Sequence, residues 1–214
     1  EQDVAKSLFD VGAIKFDSRT GWKLKIHKTY PDAPLSPFYV DLRILRSFPL
    51  LLSAVADLMA SLITAHLEEC DLVSDVPTAA TPIVTLVSQK LNIPMISPRL
   101  DVKTHGIQRE IDGVWKAGDR VLLIDDLRTT GGSKEEVLDV FEKLGLHPLA
   151  VAVLLDRANP EGAPIRHLPL LYVYRWSTLL NFYRGRGLIS DEEFMKASRF
   201  PEELDSYLRS QAKK

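Results

Sequence analysis

The chain predicts an α/β fold with a mostly parallel central sheet flanked by helices, and three observations carry that expectation. First, Val121-Leu122-Leu123-Ile124 and Leu149 to Leu155 are unbroken apolar runs, the pattern of strands buried on both faces of a parallel sheet. Second, such runs alternate with segments whose apolar residues recur at helical spacing, as crossover helices between parallel strands require. Third, polar clusters follow three apolar strands, at Ser74-Asp75, Asp125-Asp126 and Asp156-Arg157. Ligands on open parallel sheets bind beyond the carboxyl ends of the strands, so these clusters are expected on one rim.

Taken in order, Val4 to Ile14 reads as a helix. Lys15 to Asp41 reads as short strands around a long loop: Trp22-Lys23-Leu24-Lys25-Ile26 alternates, Phe38-Tyr39-Val40 is strand-like, and Pro31, Pro34 and Pro37 forbid regular structure between them. Leu50 to Leu67 is a long core helix. Leu72-Val73 begins a buried strand that ends in the turn Ser74 to Pro82, and a helix follows to Leu91. Pro94-Met95-Ile96 is a third short strand. Arg99 to Gly113 is charged without a clear period and reads as a mobile loop. After the central strand, Lys134 to Leu144 repeats Val137, Leu138, Phe141 and Leu144 at helical spacing. Leu168 to Tyr174 is a last strand. Ser177 opens a helix, Ser190-Asp191-Glu192-Glu193 caps another, and Pro201-Glu202-Glu203 starts a third.

With 214 residues, 45% of them apolar, the chain is long enough for one α/β domain with a sizeable core. A net charge of −2 points to neither nucleic acid nor a membrane surface as partner. The single cysteine, Cys70, excludes an internal disulfide and reads as a small core residue. The acidic opening Glu1-Gln2-Asp3 does not resemble a signal peptide. The apolar run Phe48 to Leu67 is broken by Pro49, Asp57 and His66, and reads as a buried helix rather than a span. Cytoplasm is the expected compartment, and no metal-ligand spacing appears.

The chemistry concentrates in Val121 to Ser133. Two carboxylates stand where the strand ends, then Leu127-Arg128-Thr129-Thr130-Gly131-Gly132-Ser133 leads into a helix. A small-residue turn opening a helix cradles a phosphate, because its N–H groups point outward and the helix N-terminus favours an anion. Ser133 suits the N-cap, with Glu136 three residues on. Carboxylates repel phosphate, so the acids reach for something else on the same ligand, and ribose hydroxyls fit. A ribose 5-phosphate is therefore implied. The Walker and Rossmann glycine patterns do not match.

This stretch resembles the phosphoribosyl pyrophosphate (PRPP) motif of type I phosphoribosyltransferases, and most of the chain is similar to orotate phosphoribosyltransferases. Leu8-Phe9-Asp10-Val11-Gly12-Ala13-Ile14-Lys15-Phe16 resembles their N-terminal helix and its exit. Ser36-Pro37-Phe38-Tyr39-Val40-Asp41-Leu42-Arg43 resembles their Ser-Pro-x-Tyr-x-Asp-x-Arg strand. Arg99-x-x-x-Lys103-x-His105-Gly106 resembles their catalytic loop, and Leu155-Asp156-Arg157 the strand end whose Arg meets the orotate carboxylate.

The resemblance implies the type I phosphoribosyltransferase fold in a single domain. Residues 1–43 would form a base-binding hood and residues 99–113 a mobile catalytic loop. It implies transfer of the phosphoribosyl group of PRPP to orotate, giving orotidine 5′-monophosphate and pyrophosphate in pyrimidine synthesis, with Mg2+ carried by the pyrophosphate. Arg99, Lys103 and His105 would serve the leaving group and Asp126 the reacting ribose. Asp125, Asp126 and Leu127 to Ser133 would bind PRPP. Thr129, Arg157 and Lys25 would meet the base. A homodimer sharing the catalytic loop between subunits is implied as well.

Four departures bear on specificity. Ten residues, Ile26 to Leu35, separate Lys25 from Ser36 where the family has a shorter Ser-Gly turn. Asp75 opens the pyrophosphate loop where Gly is usual. Leu100 follows Arg99 where many relatives carry a second cation. Arg128 replaces a usual apolar residue, either adding a phosphate contact or filling space. These changes motivate two alternatives: a phosphoribosyltransferase for another base, and a non-catalytic PRPP or nucleotide sensor.

Overall fold

A computed structural model describes residues 1–99, 110–129 and 132–211. The chain divides into two compact units, Glu1–Ile44 with Arg175–Lys214, and Leu45–Tyr174. The C-terminal helices thus fold with the N-terminal segment, a partnership between chain ends that no local pattern signals.

In the first unit, α1 (Gln2–Asp10) stops earlier than the apolar spacing predicts. Gly12, at φ +73°, turns the chain while the Ala13 N–H returns 2.9 Å to the Leu8 carbonyl, a helix-ending pattern that glycine accommodates without steric cost. Ile14 is then free to begin β1 (Ile14–Phe16), which pairs antiparallel with β2 (Phe38–Val40). The strand expected at Trp22–Ile26 does not form. Trp22 makes one bridge to Ser36, and Lys25–Lys28 is a 3₁₀ turn. The cause is the buried His27. Its Nδ1 accepts the Leu24 N–H at 2.9 Å and its Nε2 donates to the Ala33 carbonyl at 3.0 Å, folding the long loop onto itself.

The C-terminal part of this unit holds α5 (Trp176–Gly185) and α6 (Asp191–Gln211). Two helices were expected where α6 is continuous, with Pro201 inside it. Proline has no N–H to give to the carbonyl four residues back, which is that of Ala197. The Trp176 indole N–H supplies the missing bond to Ala197 at 3.3 Å, so the helix passes its proline. Phe9, Phe16, Phe38, Trp176, Tyr183 and Phe200 pack ring to ring at the centre of the unit.

Among the described residues, the second unit is built on a six-stranded sheet in the order β5-β4-β3-β6-β7-β8. The strands are β3 (Leu72–Asp75), β4 (Met95–Pro98), β5 (Ile111–Asp112), β6 (Arg120–Arg128), β7 (His147–Asp156) and β8 (Leu170–Arg175). Pairs β4–β3, β3–β6 and β6–β7 are parallel and β4–β5 is antiparallel. Val121 to Ile124 and Val151 to Leu154 are shut off from solvent, as their continuous apolar character requires. The core continues onto α4 (Gly132–Leu144) through Val137, Leu138 and Phe141. Because α4 starts at Gly132, Ser133 lies in its first turn rather than at the N-cap, a one-residue difference at a helix end.

The expected core helix is α2 (Pro49–His66), but only one of its faces is buried: Val55, Ala56, Met59, Ala60 and Ile63. That face packs on β7 and on α3 (Thr81–Leu91). Leu50 is 89% exposed, and Leu51, Leu52, Leu58 and Leu62 are half-buried. α2 is long and apolar enough to cross a membrane by length and composition alone.

Candidate active site

The parallel registers Asp75↔Ile124 and Arg128↔Asp156 set the carboxyl ends of β3, β6 and β7 side by side. β4 ends beside them with Ser97, Pro98 and Arg99. The three polar clusters expected on one rim therefore share it, with the end of β6 between those of β3 and β7.

At the end of β6 the two acids behave differently. The buried Asp125 turns toward α4, where one of its carboxylate oxygens is ion-paired with the Lys134 ammonium. Its other oxygen accepts the Asp126 backbone N–H at 2.8 Å. Lys134 also donates to the Leu127 carbonyl at 2.8 Å. Asp126 is half-buried, and its carboxyl hydrogen-bonds that of Asp125. An ideal strand would point the two acids opposite ways; here they meet. Burial first, then the neighbouring Asp125 charge and hydrogen bond, push Asp126 up to about 7, and the Lys134 charge opposes that rise.

Beyond the acids, Leu127 is half-buried, and Thr129, Gly132 and Ser133 are exposed at the turn and the helix start. Thr130 and Gly131 lie outside the described residues, as do Lys103 and His105 of the expected catalytic loop. Arg99 is described. Its guanidinium grips Asp112 of the adjacent strand through Nε at 2.8 Å and Nη2 at 2.6 Å, so in this state it is tied to the sheet edge. Lys25 is exposed on the 3₁₀ turn of the first unit.

The side chain of Arg128, expected among the PRPP ligands, is turned into the protein. It is 7% exposed and donates from Nη1 to the Ala163 carbonyl at 2.8 Å, with Asp156 3.5 Å from the same nitrogen. Its Nε is buried without a partner. Asp156, fully buried, accepts the N–H groups of Ala158 at 3.2 Å and Gly162 at 2.5 Å. Arg128 thus fills space and braces the turn that carries Arg157, whose own N–H donates to the Arg128 carbonyl at 2.9 Å. Arg157 is half-buried, and burial lowers its guanidinium to about 10.

Asp75 raised the question of an acid beside a pyrophosphate loop. It is fully buried and turned away: Ser97 Oγ donates to it at 2.6 Å and the Thr81 hydroxyl also donates to it. The Arg46 guanidinium holds the Thr78 carbonyl in the same loop. Sequence reasoning passed over Ser97, Thr81, Arg46 and Lys134. Lys134 had a signal, since it extends the apolar stripe of Val137, Leu138 and Phe141 backward by three and four residues. Among the described residues, no group of three or more His, Cys, Asp or Glu side chains is placed to hold a metal ion.

A parallel sheet, an acid pair at the end of its central strand and a small-residue turn into a helix define a type I phosphoribosyltransferase fold. No family model matches the sequence. The orotate phosphoribosyltransferase of Lactobacillus johnsonii is 37% identical over 172 residues, 78% of this chain and 80% of that protein. That of Staphylococcus aureus (strain MSSA476) is 30% identical over 196 residues, 90% of this chain and 93% of that protein. Among solved structures, the UMP synthase of Leishmania donovani superposes with a TM-score of 0.77 at 29% identity, covering 94% of this chain and 42% of that one. The chain belongs to the orotate phosphoribosyltransferase family.

Proposed function

We propose that this chain transfers the 5-phosphoribosyl group of PRPP to orotate, releasing pyrophosphate and forming orotidine 5′-monophosphate for pyrimidine synthesis. The observation that carries the reading is the shared rim: Asp126 near the end of β6, the start of α4 soon after it, and Arg157 just beyond the adjacent parallel β7. One substrate can meet all three. The exposed Thr129, Gly132 and Ser133 suit the 5-phosphate, Asp126 the ribose hydroxyls, and Arg157 the orotate carboxylate, for which a guanidinium offers a planar fork of donors.

In the reaction the bond between ribose C1 and the pyrophosphate oxygen breaks as the bond between C1 and the pyrimidine nitrogen forms. Positive character grows on the ribose and negative charge on the leaving group. Holding both substrates in line and neutralising the departing charge are the protein's tasks. Arg99, once released from Asp112, and Lys103 and His105 suit that neutralisation.

Mg2+ fits as an ion brought by the substrate. Asp75 is already held by two hydroxyls, Asp125 by Lys134 and Asp156 by Arg128, so the substrate's own phosphates would hold the ion. Magnesium dehydrates reluctantly and keeps several waters beside substrate phosphates, and it would supply charge neutralisation on the pyrophosphate. The exposed Leu50 and the half-buried Leu51, Leu52, Leu58 and Leu62 of α2 offer an apolar face to a second copy of the chain, which supports a homodimer; the cytoplasm is the compartment we propose.

The test is pyrophosphate release from PRPP and Mg2+ with orotate against a no-base control. Orotate-dependent release is expected. A second reading, another base, rests on the long His27-pinned loop between Lys25 and Ser36. Release with uracil, adenine, guanine or xanthine but not orotate would select it. PRPP binding with no base ever consumed would make the chain a sensor.

A further inference from the structure

The end of β6 is anchored by a buried lysine of α4 that the proposed reaction does not use. Lys134 is 2% exposed and sits on the core face of α4 among Val137, Leu138 and Phe141. A lysine so deeply buried needs a charged partner and satisfied donors. It has Asp125 as its ion-pair partner and the Leu127 carbonyl at 2.8 Å, so one ammonium grips the chain on both sides of Asp126.

We propose that Lys134 is a positioning residue for ribose recognition: its buried ammonium holds Asp125 inward and fixes the Leu127 carbonyl, which leaves Asp126 as the acid that receives the ribose hydroxyls. The inference rests on the phosphoribosyl reading above and divides the labour within its acid pair. The Asp125 carboxylate is engaged by the buried Lys134 ammonium and by the Asp126 N–H, whereas Asp126 is held by hydrogen bonds from the Asp125 carboxyl and the Leu127 N–H, which a ligand hydroxyl can replace.

The charged groups acting on Asp126 among the described residues are Asp125 on its own strand and Lys134 on α4. On the flanking strands, Asp75 is turned to Ser97 and Thr81, and Asp156 to Arg128. Removing the ammonium therefore leaves Asp125 uncompensated beside Asp126 and displaces the Leu127 carbonyl.

The experiment compares the wild type with Lys134→Met and with Lys134→Met/Asp125→Asn. It reads PRPP affinity by calorimetry against pH and the Asp126 carboxyl titration by carbon NMR in the ligand-free protein. In Lys134→Met, PRPP affinity is expected to fall about tenfold or more and the Asp126 titration to move up by about one unit. In the double variant, which lacks both charges, the titration should move below that of the wild type. A folded Lys134→Met protein with wild-type affinity and titration overturns the proposal. If that variant does not fold, the double variant decides, and a titration unchanged from the wild type overturns it. Should the wild type itself not bind PRPP, the phosphoribosyl reading fails, while the ligand-free titrations still decide whether Lys134 governs Asp126.

Discussion

Replacing Arg128 by methionine removes a buried cation while keeping most of its length, and the structure sets opposing terms. Removing one partner of a buried ion pair costs about 3–5 kcal/mol when the other charge is left bare. Asp156 is not left bare, because the Ala158 and Gly162 N–H groups still donate to it. The Arg128–Asp156 approach is also long at 3.5 Å, and the shorter bond goes to the Ala163 carbonyl at 2.8 Å. The low end of that range, about 3 kcal/mol, therefore applies. Against it stands the orphan Nε, whose burial costs about 1–3 kcal/mol and disappears with the guanidinium. The expected net loss is about 0–2 kcal/mol. Urea unfolding followed by tryptophan fluorescence measures it, provided the slope with denaturant is unchanged. A loss above about 4 kcal/mol would mean that charge compensation dominates, and a gain would mean that the pair is a net cost; either refutes the balance drawn here. The apparent KM for orotate should rise in the same variant, because the braced turn carries Arg157.

Three further outcomes are expected. Arg157→Ala should raise the KM for orotate by about tenfold to a hundredfold, the worth of a charge-assisted hydrogen bond, and a wild-type KM would remove Arg157 from base recognition. Asp126, raised above its ordinary 3.8, favours folding in its protonated form, so its contribution is present at low pH and lost as pH rises through about 7. The thermal midpoint of Asp126→Asn should therefore gain on that of the wild type between pH 5 and pH 8, and a pH-independent difference would contradict the raised value. Trp176→Phe should cost about 1–2 kcal/mol by orphaning the Ala197 carbonyl, and Pro201→Ala should reduce that cost by supplying an N–H; additive effects would show the two sites to be uncoupled.

Much of the sheet, and the meeting of two acids near the end of its central strand, could be read in advance because their signals are local. An apolar run such as Val121 to Ile124 has few ways to bury itself other than between two strands, and a turn of small residues before a helix has the geometry of an anion cradle in any context. The acid pair followed the same logic. Side-chain direction at Arg128, Asp75 and Asp125 was not readable, since it depends on partners far along the chain: Ala163, Ser97 and Lys134 respectively. The helix end at Asp10 and the 3₁₀ turn at Lys25 were misread because alternation and helical spacing do not register what Gly12 and His27 impose.

Local residue order thus suffices for an α/β sheet with an acid pair near the end of its central strand and a helix soon after it, because burial and backbone geometry act within a few residues. It does not contain which acid of the pair is held inward, or that α6 continues through Pro201. Those outcomes turn on a lysine nine residues from Asp125 and an indole twenty-one residues from Ala197. A buried charge or an orphaned carbonyl must be answered by whatever group the folded chain brings within hydrogen-bond reach, and that group is known only once the chain has closed around it.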